Sequence, residues 1–92
     1  MKRIKFKNNV YMTKTNDEAI IILDGETDQF WGMEGPVSYI IFSLFENQFL
    51  NIDNLLSEVL KKYSVSLAEL TADVEDSFNT LIETGIAYYE WV

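Results

Sequence analysis

Asp24, Glu26 and Asp28 alternate through the stretch LDGETDQFWGM, residues 23 to 33, much as acidic ligands do at the start of a calcium loop. Oxygen donors at every second position wrap a hard divalent cation, so the spacing itself is chemically meaningful. The pattern stops there: Gln29 stands where such a loop needs its sharp-turn glycine, and Gly35 where it needs a bidentate glutamate. No metal is expected. Phe30 and Trp31 follow as adjacent aromatics. On a strand, neighbours point to opposite faces, so one of the pair joins a core and the other is free to line a pocket.

Other chemistries are closed by what is missing. The chain has no histidine and no cysteine, which removes Ser-His-Asp and Cys-His catalysis, zinc sites, thiol chemistry and disulfides. Its 15 carboxylates include no pair marked as a tuned acid and base, and a solvated acidic surface accounts for them. Gly25, Gly32 and Gly35 fall in a turn, a strand and a helix entry, so no glycine loop cradles a phosphate. Neither enzyme activity nor a cofactor is expected.

The elements that must carry these residues are readable from periodicity. Val10 to Lys14 alternates apolar and polar positions, and the Thr15-Asn16-Asp17-Glu18 cluster after it is rich in turn formers. Ala19 to Leu23 is a continuous apolar run rich in β-branched residues, suited to a central strand covered on both faces. Asp24-Gly25 supplies the next turn, with Gly25 free to take positive φ, and Thr27 to Met33 forms a third strand. Order alone makes this an antiparallel meander whose third strand lies at an edge.

Three helices follow. Between Gly35-Pro36 and Phe49, the apolar residues Val37, Ile40, Ile41, Phe42, Leu44 and Phe45 cover most of a helix circumference. Ile52, Leu55, Leu56, Val59, Leu60 and Tyr63 keep the spacing of one amphipathic face, with Lys61 and Lys62 in the last turn, where the helix dipole favours cations. The third helix has both ends specified: Ser66 and Glu69 as a capping box, Val65 and Leu70 at the staple positions, and Gly85 at a left-handed C′ position with Ile86 and Leu81 in apolar contact. Its inner stripe reads Leu67, Leu70, Val74, Phe78, Leu81 and Ile82. Residues 86 to 91 form a short wing strand in which Tyr89 and Trp91 are expected to pack. The expected fold is α+β and winged helix-turn-helix-like: a three-stranded antiparallel meander, three α-helices and a C-terminal wing strand, all in one domain spanning residues 1–92.

Charge narrows the partners. Of seven cations, Lys2, Arg3, Lys5, Lys7 and Lys14 lie in the first 14 residues, all 15 acids lie beyond them, and the net charge is −8. A polyphosphate would be repelled by that body. A helix-turn-helix reading of the second and third helices therefore stops at scaffold, because the third carries Glu69, Asp73, Glu75, Asp76 and Glu83 and no lysine or arginine. The basic start is not followed by an apolar stretch of signal-peptide length, and no run approaches a membrane span. A cytoplasmic protein binding neither nucleic acid nor membrane is expected.

The order of elements and particular residues resemble the PqqD-like domains, named for the pyrroloquinoline quinone biosynthesis protein D and also called RiPP recognition elements. The resemblance runs from Ile21-Ile22-Leu23-Asp24 through Phe30-Trp31-Gly32-Met33, which stands where the family has a Tyr-Trp or Tyr-Tyr pair followed by Leu-Asn. It continues through Ile40-Ile41 and Leu44, the Ile52 to Tyr63 helix, and Asp73-Val74 with Phe78, Leu81, Gly85 and Ile86, covering roughly residues 8 to 88. Met33-Glu34 and Gly35-Pro36-Val37-Ser38 depart from the family pattern at the entry to the first helix.

The resemblance implies a free-standing, non-catalytic adaptor that binds the leader segment of a ribosomally made precursor peptide, with a lasso-peptide pathway favoured. It further implies that the peptide adds as an antiparallel strand to the third strand and rests against the third helix. The residues so implicated are Asp28, Gln29, Phe30, Trp31, Gly32 and Met33 on the strand side. On the helix side they are Asp73, Val74, Asp76, Ser77, Phe78 and Leu81, of which Val74, Phe78 and Leu81 fall on the stripe that ordinarily packs inward. The implied partners are the precursor peptide and a leader peptidase, cyclase or other modifying enzyme, with the protein itself a monomer or weak dimer. The alternatives are a winged-helix transcriptional regulator and a homodimerisation module using the same sheet edge.

Overall fold

Inward-facing apolar residues at every second position organise the sheet seen in the computed structural model, which describes residues 2–16 and 18–91. The element order is β1 (Lys2–Phe6), β2 (Val10–Asn16), β3 (Ala19–Asp24), β4 (Gln29–Glu34), α1 (Pro36–Glu46), α2 (Ile52–Lys62), α3 (Leu67–Glu83) and β5 (Ala87–Trp91). The expected α+β arrangement of an antiparallel meander, three helices and a C-terminal strand is what forms. Strands β2, β3 and β4 pair in chain order, and the register aligns Met12, Ile22 and Trp31 across the sheet. Asp17, part of the expected turn after β2, lies outside the described residues.

Val10, Met12, Ile20 and Ile22 are buried on one sheet face, where they meet Val37, Ile40, Ile41 and Leu44 of α1. Leu55, Leu56 and Val59 of α2 and Leu70, Val74, Phe78 and Leu81 of α3 complete the core. The run Ala19 to Leu23 is central, as its composition indicates, but it is covered on one face only: Ile21 and Leu23 stay exposed because every helix packs on the other side. Leu67, expected on the inner stripe of α3, is also exposed, one residue inside the N-cap and ahead of the first buried turn.

The turn between β3 and β4 corrects a second expectation. Positive φ belongs to Asp28 (59°), not to Gly25. Gly25 is required for a different reason: its N–H donates to the Asn9 carbonyl at 2.7 Å, and a Cβ there would lie 2.9 Å from that same oxygen. The turn thus occupies residues 25 to 28, and β4 starts at Gln29 rather than Thr27.

The helix ends follow their local signals. Asn51 caps α2 by accepting from the Asn54 N–H at 3.2 Å, and Ser66 caps α3 by accepting from the Glu69 N–H at 3.1 Å. Gly85 takes φ 80°, and two bonds close a Schellman motif: Ile86 N–H to the Leu81 carbonyl at 3.0 Å, and Gly85 N–H to the Ile82 carbonyl at 3.1 Å.

Strand β1 was not expected. It pairs antiparallel with β5 as a separate two-stranded ribbon, matching Ile4 to Tyr89 and Phe6 to Ala87. Ile4 and Ala87 are buried, and the Phe6 ring meets Phe45 of α1 edge-on at 5.6 Å between centroids. Lys5 reaches Glu90 at 3.6 Å. Trp91, expected to pack in the wing, is instead exposed at the end of the ribbon. Among the described residues no helix is long and apolar enough to cross a membrane.

Candidate functional site

Strand β4 has β3 on one side only; among the described residues no strand pairs with its other edge. Such an edge leaves a row of N–H and C=O groups open to a further strand. Along this edge runs a groove whose cavity of about 110 Å³ is lined by Ile22, Trp31, Gly32 and Met33 from the sheet, Thr80 and Leu81 from α3, and Thr84 and Ile86 just beyond it. The Schellman turn is what folds Ile86 back over the end of α3 into this lining.

The register settles the aromatic pair. Trp31 aligns with buried Ile22, packs half-buried against the core and forms a groove wall, whereas Phe30 aligns with Leu23 on the opposite face and is 71% exposed. Gly32 has nothing within 4 Å of where a Cβ would stand, so the strand offers no obstruction at that point. Both threonines have their hydroxyl protons engaged: Thr80 Oγ1 donates to the Asp76 carbonyl at 3.0 Å, and Thr84 Oγ1 to the Thr80 carbonyl at 2.9 Å. Neither offers a free proton to the cavity, which is therefore a place for an apolar side chain.

The residues singled out from the sequence divide into groups. Trp31, Gly32, Met33 and Leu81 meet in the groove lining. Val74 and Phe78 are buried in the core beneath it. Asp73 and Asp76 are exposed and Ser77 is half-buried; by helical spacing they continue the Thr80–Thr84 side of α3 towards its N-terminus. Asp28 and Gln29 lie at the turn where β4 begins. Sequence reasoning missed Ile22, Thr80, Thr84 and Ile86 as lining residues. The signal for the threonines was available, since residues 73, 77, 80 and 84 keep a spacing of three and four along one side of the helix.

Asp24 plays a structural part. It is 2% exposed at the end of β3, where its carboxylate accepts from Lys7 Nζ at 2.9 Å and from the Glu26 N–H at 3.0 Å. The Lys7 hydrogen bond holds the Asp24 carboxyl below the usual carboxylate range, and Asp24 in turn raises Lys7 above the usual lysine value. Among the described residues no group of three or more acidic, histidine or cysteine side chains could hold a metal ion.

A larger cleft of about 400 Å³ lies elsewhere, lined by Lys14, Glu18, Tyr39, Glu58, Val59, Lys62 and Tyr63. Its polar groups largely engage one another or nearby rings. The Tyr39 hydroxyl donates to Glu58, which raises the tyrosine's pKa, and Lys62 and Lys14 stand over the Tyr39 and Phe42 rings at 5.7 and 5.3 Å. The cleft also borders an edge strand, β2, through Lys14, but charged and hydroxyl-bearing side chains line it, whereas the smaller groove beside β4 is walled mainly by apolar ones.

No family model matches the chain, and no curated protein matches it. Two solved structures share its fold. One, a lasso peptide synthetase B1 complexed with the leader peptide, superposes with a TM-score of 0.75 at 16% identity, over 94% of this chain and 98% of that one. The other, TbiB1 in complex with the TbiA(beta) leader peptide, gives 0.71 at 20% identity, over 90% and 93%.

Proposed function

We propose that residues 1–92 act as one peptide-recognition domain, a non-catalytic cytoplasmic adaptor that captures the leader segment of a ribosomally made precursor peptide, in a pathway of the lasso-peptide type. The observation that carries this reading is the open edge of β4 beside an apolar groove against α3. The guest adds as an antiparallel strand to β4, its main chain hydrogen-bonding to the edge irrespective of sequence. Every second side chain then turns towards Trp31, Leu81 and Thr84, which select the register. Asp73 and Asp76 at the margin of α3 favour a guest bearing lysine or arginine. Supporting the reading, the two similar structures described above are complexes with leader peptides, and each superposes over nine-tenths or more of both chains.

Titration of a labelled candidate leader peptide, and separately of duplex DNA, tests the proposal. Submicromolar peptide affinity with no DNA shift is expected; DNA binding without peptide binding would replace the adaptor with a regulator.

A further inference from the structure

A sheet covered on one side ordinarily turns polar residues to water. The face of β2, β3 and β4 turned away from the helices does the reverse. The register sets Tyr11, Leu23 and Phe30 in one row across the three strands and Thr13, Ile21 and Gly32 in the next. Tyr11 is 57% exposed, Ile21 41% and Leu23 37%, so with Phe30 they make a continuous apolar face of the kind that marks an interaction site. Gly32 leaves a notch beside Ile21, between Phe30 and Glu34.

The charges around this face are mostly acidic, the cation at its turn end, Lys7, being engaged with Asp24 at 2.9 Å and Glu26 at 3.5 Å. Glu34 ends β4, exposed and in step with Phe30 and Gly32, and Glu26 and Asp28 occupy the turn at the sheet's other end. Lys14, the only cation in these strands, stands over the Phe42 ring of α1 on the helix side. Two copies meeting through this face would set acids against acids, and an anionic membrane would be repelled. A protein surface with an apolar centre and a lysine- or arginine-bearing margin is complementary.

We propose that the outer face of β2–β3–β4 is the docking surface for the enzyme that acts on the captured peptide, which contributes an apolar centre and a cationic margin. This rests on the reading of β4 as the peptide-adding edge. A strand added there continues the same face, placing its outward side chains about 5 Å from Phe30 and Gly32. The enzyme therefore meets a wider surface on the loaded adaptor than on the empty one, extended by the guest's outward side chains. By linkage it tightens the hold on the peptide by the same factor.

Tyr11 and Thr13 lie on β2, two strands from the guest, and both are exposed. Tyr11→Lys and Thr13→Lys add a cation to the docking face without touching the groove, and Thr13→Lys replaces one exposed polar residue with another. Fluorescence anisotropy with the labelled leader peptide and initial rates of an enzyme that processes that peptide provide two separate readouts. Peptide affinity within about twofold of the unaltered protein is expected, with the enzyme's KM for the loaded adaptor raised about tenfold or more. Intact peptide binding with unchanged KM in both variants would overturn the docking face alone. Failure of the unaltered protein to bind peptide would remove the adaptor reading itself, and this inference with it. A concentration-dependent dimer in sedimentation, dissolved by Tyr11→Lys, would make a second copy the occupant and overturn the proposal.

Discussion

Phe30 and Trp31 differ by one position and by half a strand pleat, and that difference assigns them separate work. Trp31 gives its ring to the core and to the groove wall; Phe30 gives its ring to the opposite face. Trp31→Ala is expected to cost about 2 kcal/mol of stability, less than the roughly 3–5 kcal/mol of a fully buried aromatic, because the ring is only half covered. It should also weaken precursor-peptide binding about tenfold or more, since it removes a wall of the apolar site. Phe30→Ala should change stability by no more than about 0.5 kcal/mol, and peptide affinity much less than Trp31→Ala. Thermal unfolding and anisotropy on both variants check this. A large affinity loss at Phe30 with none at Trp31 would move the guest to the other face of the sheet.

Where an element's signal is local, the sequence states it well. Ser66, Glu69 and Gly85 mark the ends of α3 because caps and Schellman turns are made by residues a few positions apart. Strand β1 was invisible for the opposite reason. Its Arg3-Ile4-Lys5-Phe6-Lys7 alternation has the period of a strand, but its partner β5 comes from the other end of the chain, and nothing local connects them. The same limit hid which of Phe30 and Trp31 faces the groove: parity gives two opposed faces, and only the placement of α1 says which is covered. The open edge of β4 was readable, because a meander leaves its last strand with one neighbour. Its consequence is periodic. In an antiparallel ladder alternate residues exchange both hydrogen bonds, so a scan of single N-methyl groups along the bound peptide should weaken affinity at every second position. A flat response would mean that side chains alone hold the guest.

Across the whole molecule, Lys7 joins the pieces that β1 would otherwise leave apart. Its backbone N–H donates to the Ile86 carbonyl at 3.0 Å, where α3 passes into β5, and its ammonium reaches Asp24 at 2.9 Å and Glu26 at 3.5 Å at the far end of the meander. The ribbon and the sheet are thus tied by one side chain in a protein whose net charge of −8 supplies few other cations. Asp24 is held below its ordinary value of 3.8, so its share of stability is present above that pH and is lost as pH falls through the lower, folded value. Lys7 is held above 10.5, so its share is present below that pH and is lost as pH rises through the higher, folded value. Changes in overall charge also move stability with pH, and comparison with Asp24→Asn largely cancels them. The unaltered protein should therefore melt above Asp24→Asn by a constant margin from roughly pH 5 to pH 9. That margin should narrow in acid as Asp24 takes up its proton and in strong alkali as Lys7 releases one. Equal melting temperatures at neutral pH would show that the ribbon is held by Ile4, Phe6 and their packing alone.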